Sequence, residues 1–118
     1  MDRTMRTPPK DDQIKAMLDG NVYELLSHYG TAHVVDFRPY LTVDRSDVES
    51  FLHRNPEAAM SYFEKASAVS PESENKIERS GDAYRVLWVD HGQVRSARHF
   101  TTLAEAVAEH LLVAHGMY

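Results

Sequence analysis

Apolar residues along this chain keep two rhythms. Through about residue 66 they recur three and four apart, the spacing of one helix face, whereas from Ala83 to Phe100 they alternate like a half-buried strand pair. Ile14, Met17 and Leu18 predict a helix over Asp11 to Leu18, stopped at Asp19-Gly20. Asn21 with Glu24 three residues on resembles a capping box, so a second helix is expected to about Tyr29, with Gly30 free to take the left-handed C-cap conformation. The same pattern fits one bent helix. Between Thr31 and Val43, Ala32, Val34, Val35 and Phe37 are compatible with a buried strand although Pro39 removes a ladder donor, and a strand is expected over Ala32 to Phe37.

Ser46-Asp47-Val48-Glu49 has the Ser-x-x-Glu form of a capping box, followed by Val48, Phe51 and Leu52 on one face. Asn55-Pro56-Glu57 restarts a helix: Asn caps, Pro suits the first position because its missing N–H has no partner there anyway, and Glu complements the dipole. Ala59, Met60, Phe63 and Ala66 are expected to be its buried stripe. Ser67 to Asn75 reads as the main loop, with a short helical turn opening at Ser70-Pro71-Glu72 as the rival. Ser80-Gly81-Asp82 is a turn signal and leaves Lys76 to Arg79 as a short edge strand.

Ala83 to Val89 and Gln93 to Phe100 then spell a β-hairpin. A three-residue loop, Asp90-His91-Gly92, would pair Val89 with Gln93 and group Tyr84, Val86 and Trp88 with Val94, Ser96 and Phe100 on the core face. Arg85, Arg95 and His99 share the other face with Leu87 and Ala97, and Arg98 falls on the apolar face. Thr102-Leu103-Ala104-Glu105 caps a final helix with the stripe Leu103, Val107, Leu111 and Ala114; Glu105 and Glu109 are expected opposite it, facing water. The expected fold class is α+β, with N-terminal helices packed on a small antiparallel sheet and a helix after it.

At 118 residues and 42% hydrophobic content, the chain fits one domain over 11–118 behind a disordered tail over 1–10. That tail has charges and two prolines but no apolar run of a secretory signal, and the longest apolar stretch is far short of the roughly 20 residues that span a bilayer. No membrane partner is expected. Zero cysteines exclude disulfides, thiolate nucleophiles and Cys-ligated metals, and point to a cytoplasmic home.

The net charge of −5 opposes general attraction to phosphate backbones, but the charge is graded along the chain. Asp36 to Glu74 carries eight acids against four bases, and Lys76 to Phe100 five bases against three acids. Seven histidines invite a metal reading, yet His28 and His33, like His110 and His115, are five apart, which does not stack on a helix. Glu105 and Glu109, one turn apart, read as a solvated face. Ser27, His28 and Asp36 have the residue types of a triad without its strand-turn-helix elbow, and the five glycines form no phosphate-cradling loop. No cofactor and no metal are expected. His91 and His99 near Arg95 are the best enzyme alternative, an acid/base pair with a cationic stabiliser, but the expected role is non-catalytic.

The run Tyr84 to Gly92, with Arg98-His99-Phe100-Thr101-Thr102-Leu103-Ala104-Glu105-Ala106, resembles the C-terminal end of small bacterial immunity proteins from polymorphic-toxin and contact-dependent inhibition systems. The likeness covers about a third of the chain and is shared with the arm-type DNA-binding domains of integrases, which are usually basic and shorter. It implies a stoichiometric inhibitor of a toxin; a phage-type inhibitor of a defence nuclease would look much the same from sequence. The acids Asp44, Asp47, Glu49, Glu57 and Glu64 are the candidate contact, since complementary charge accelerates encounter with a basic partner. The alternative is nucleic-acid binding through Arg85, Arg95, Arg98 and His99.

Overall fold

A computed structural model describes residues 8–29, 41–68 and 75–117. It is α+β: α1 (Lys10–Asp19), α2 (Val22–His28), α3 (Arg45–Arg54) and α4 (Pro56–Ser67) precede a three-stranded antiparallel sheet, β1 (Asn75–Ser80), β2 (Ala83–Asp90) and β3 (Gln93–Phe100), and α5 (Leu103–Ala114) follows it. Among the described residues no helix is long and apolar enough to cross a membrane. Residues 1–7 of the expected tail, the strand expected over Ala32 to Phe37, the Gly30 cap and the rival turn at Ser70-Pro71-Glu72 lie outside the described residues.

The helical half follows the sequence pattern in outline and departs from it at the caps. α1 opens at Lys10, inside the expected tail, and Pro8 before it is buried. Gly20 ends α1 with φ +72°, and its N–H bonds back to the helix. In this left-handed conformation a Cβ would be strained. The side chain of Asn21 makes no cap bond to α2. α3 is capped by Asp44, not Ser46: Asp44 accepts from the Asp47 N–H at 2.8 Å and Asp47 accepts from the Asp44 N–H at 3.0 Å. Both Asp44-x-x-Asp47 and Ser46-x-x-Glu49 fit the motif, and the earlier one adds an ion pair from Lys10 on α1 to Asp47 at 3.0 Å. Asn55 and Pro56 open α4 as expected, but the Asn55 side chain donates backwards to Phe51 O at 2.8 Å instead of capping forwards.

α5 is the hub. It packs against α3, α4 and all three strands, and Ala104, Val107, Ala108, Leu111 and Leu112 are buried along it. Each fully buried Val or Leu side chain contributes roughly 1.5–3 kcal/mol, so this helix holds the two halves together. Ile14, Met17, Leu26, Val48 and Leu52 complete the core from the other helices, while Ile77 and Val86 close it from the sheet. Being covered on several sides, α5 cannot keep a wet stripe through its middle: Glu109 is only 5% exposed and His110 is also buried. Glu109 is therefore not on a solvated face, as the spacing suggested.

The hairpin turn has two residues, His91 and Gly92, at φ +51° and +77°, and pairs Asp90 with Gln93. Positive φ at both central positions matches the right-handed twist of paired strands. Continued unbroken, that turn would set Tyr84 opposite His99. A bulge between Trp88 and Val89 leaves Arg95 unpaired across the ladder and shifts the register by one, so Trp88 faces Ser96, Val86 faces Arg98 and Tyr84 faces Phe100. The expected three-residue loop is thus replaced by a tighter turn plus a bulge. Tyr84, Val86 and Phe100 do lie toward the helices. Trp88, 41% exposed, and Val94, 58% exposed, are not core residues: Val94 pairs with Val89, and Trp88 is only partly covered beyond the end of α5.

Candidate functional site

The two sets of residues expected to make contacts have different fates. Of the five acids, three are occupied by the fold. Asp44 and Asp47 cap α3 and each other, and Glu49 approaches Arg45 one turn earlier at 4.0 Å. The Asp44 N–H, then the Lys10 ammonium, hold the Asp47 carboxyl below its ordinary range. Glu57 and Glu64 are exposed on α4, and neither carboxylate is ion-paired with a described residue. Between them stands Met60, 43% exposed, which the spacing assigned to the core. Ala58, Tyr62 and Phe63 pack against the core with Ala59 and Ala66, turning α4 so that Glu57, Met60, Ser61 and Glu64 share its outer face at positions i, i+3, i+4 and i+7.

The basic set is spread over both faces of the sheet. Arg85 and His99 are direct cross-strand partners; Arg85 donates to Glu78 at 2.9 Å, and its buried Nε has no partner among the described residues. Arg95 sits at the bulge, 3.7 Å from Asp90. Arg98 points to the opposite face, where its Nη1 donates to both carboxylate oxygens of Glu109 at 3.2 Å and its guanidinium lies 5.9 Å from the Phe100 ring centroid. The four residues do not form one basic surface.

Two buried polar clusters were not visible in the sequence. In the first, Glu109 accepts from Arg45 of α3 as well as from Arg98 of β3. This satisfies a carboxylate that would otherwise cost several kcal/mol to bury. In the second, Tyr62 of α4 lies 2.7 Å from His110 Nδ1, and His110 Nε2 lies 3.1 Å from Asn75 O. A carbonyl can only accept, so Nε2 carries the proton and Nδ1 accepts from the Tyr62 hydroxyl. Asn75 Nδ2 returns a bond to His110 O at 3.1 Å, joining α4, α5 and β1. Burial lowers the His110 pKa, partly opposed by the bond to the Asn75 backbone, and burial raises that of Tyr62. Both groups are therefore neutral near pH 7. Their partners lie 35 to 48 residues away in the chain, which local patterns cannot reveal.

Among the described residues no three His, Asp or Glu side chains gather as they would around one metal ion. A cavity of about 660 Å³ that holds the first cluster opens between α3, the helix-facing side of β2 and β3, and the end of α5. No family model, curated protein or solved structure matches this chain. The class the fold defines is an α+β protein whose C-terminal helix is its core.

Proposed function

We propose that this protein acts by stoichiometric binding to a basic protein surface, as an immunity-type inhibitor of a bacterial toxin or as an inhibitor of a defence nuclease. The observation that supports this reading is the outer face of α4, where an exposed methionine stands between two carboxylates free of ion pairs with described residues. Methionine is a flexible apolar contact, and flanking acids select a basic partner and repel an acidic one. Asp44, Asp47 and Glu49, already bonded within the fold, contribute less to that contact than Glu57 and Glu64. Nucleic-acid binding is the poorer reading, because Arg85, Arg95 and Arg98 each face an acid of the chain itself.

The test is capture of the partner from cells that carry the gene, followed by calorimetric titration of the purified partner. A 1:1 complex is expected that weakens with salt and is lost in Glu57→Lys/Glu64→Lys with the circular dichroism unchanged. Retention on an oligonucleotide column abolished by Arg95→Ala, or a complex indifferent to the charge reversal, would overturn it.

A further inference from the structure

The Arg45–Glu109–Arg98 cluster explains how a carboxylate is tolerated in the core. It does not explain the open cavity beside it. Trp88 and Ser96 line that cavity from the sheet, Val113 from α5, and the two arginines flank Glu109. Its volume of about 660 Å³ falls within the range of small-molecule sites, roughly 300–1,000 Å³. Two guanidiniums against one carboxylate leave the lining one net positive charge. Glu49, outside the lining, stands 4.0 Å from Arg45 Nη1 and offsets that guanidinium, so Arg98 is the cation open to the cavity.

Donors remain available. Arg98 uses only Nη1 on Glu109 and its side chain is 62% exposed, whereas Arg45 gives Nη2 to Glu109 and has Glu49 4.0 Å from Nη1. The carboxylate fixes the Arg98 guanidinium, so a second anion would meet a planar, preorganised donor group. Beside them Trp88 offers an indole uncovered by the core, a surface on which a flat ring stacks.

We propose that this cavity is a binding site for a small aryl monocarboxylate, its acid group on Arg98 and its ring against Trp88. The site is independent of the α4 surface, which lies on another element. Ser96, opposite Trp88 in the ladder, is the gate: a large side chain there fills the space while leaving every ion pair intact.

The chain has a single tryptophan, so one indole N–H resonance in a proton–nitrogen correlation spectrum reports on this cavity alone. Titration with cinnamate is expected to move that resonance saturably, whereas neutral cinnamamide binds roughly tenfold more weakly or worse, having no charge-assisted bond to Arg98. Arg98→Gln is expected to weaken cinnamate by a similar factor. Ser96→Phe abolishes the shift without altering the fold, which keeps the test valid if Arg98→Gln proves unstable. A resonance unmoved by millimolar cinnamate, equal affinity for acid and amide, or binding undiminished in Ser96→Phe would each overturn the proposal.

Discussion

Replacing His110 with Gln removes a buried ring that joins three elements, and its consequences separate into a constant part and a pH-dependent part. The ring accepts from Tyr62 and donates to the Asn75 carbonyl. Each such bond is worth about 1 kcal/mol net, and a partner left buried and unpaired costs about 1–3 kcal/mol, so a loss of roughly 2–4 kcal/mol is expected at pH 7.5. The second part follows from linkage. Burial lowers the folded-state pKa of His110 below its ordinary 6.5, so between those values the unfolded chain binds a proton that the folded chain refuses. The contribution of His110 is therefore complete above about pH 6.5 and fades as pH falls toward the folded-state pKa. The loss cannot exceed about 1.4 kcal/mol per pH unit, the linkage of a single proton.

Urea unfolding followed by far-ultraviolet circular dichroism at several pH values measures both parts. The wild type should lose its advantage over His110→Gln as the pH falls, while the denaturant slope stays equal for the two. A stability difference independent of pH from 7.5 to 5.5 would refute the assignment of a neutral, buried imidazole. A difference that grew on acidification would reverse its sign and refute it more strongly.

Leu111, fully buried where α5 meets the core, should cost about 2–5 kcal/mol as Leu111→Ala, read from the urea midpoint, and Leu111→Asp should fail to fold. Asp44→Ala removes the α3 cap at a cost of about 1 kcal/mol by the same assay, and Ser46→Ala should be close to neutral because Ser46 is not the cap. Asp47 has a lowered pKa in the folded state, so it contributes stability above about pH 3.8 that is lost on acidification; Asp47→Asn should flatten the acid limb of the stability profile. Gln13, wholly buried, ties Pro8 O at 2.8 Å and Thr42 at 2.9 Å to α1, and Gln13→Leu should speed amide exchange at the Thr42 N–H, which donates to Gln13 Oε1 at 2.7 Å.

Local signals in the sequence were enough to place α1, α3, α4, the hairpin and α5, because periodicity, the Pro56 start and the Thr102 cap all act within one or two turns. Thr102 Oγ1 does accept from the Glu105 N–H at 3.2 Å. What local patterns could not decide is how many sides of an element are covered. Glu109 looks like the wet face of an amphipathic helix until α3 and β3 close over it with Arg45 and Arg98. Met60 looks like core until Tyr62 turns inward to meet His110. The hairpin misled for another reason. Alternation assumes one unbroken register, and the real ladder changes register at Arg95, a bulge that a face-by-face argument does not contain. Alternation places Trp88 on the core face, but how far that face is covered is a property of the assembled fold, which leaves Trp88 41% exposed.

The claim that α4 carries the partner contact is tested most directly by hydroxyl-radical footprinting of the purified 1:1 complex, read by mass spectrometry. Met60 is exposed and readily oxidised to the sulfoxide in the free protein, while Trp88 and His99 report on the hairpin in the same digest. The account predicts that the partner protects Met60 and leaves His99 as reactive as before. Protection of His99 with Met60 still fully oxidised would contradict it and move the contact to the hairpin.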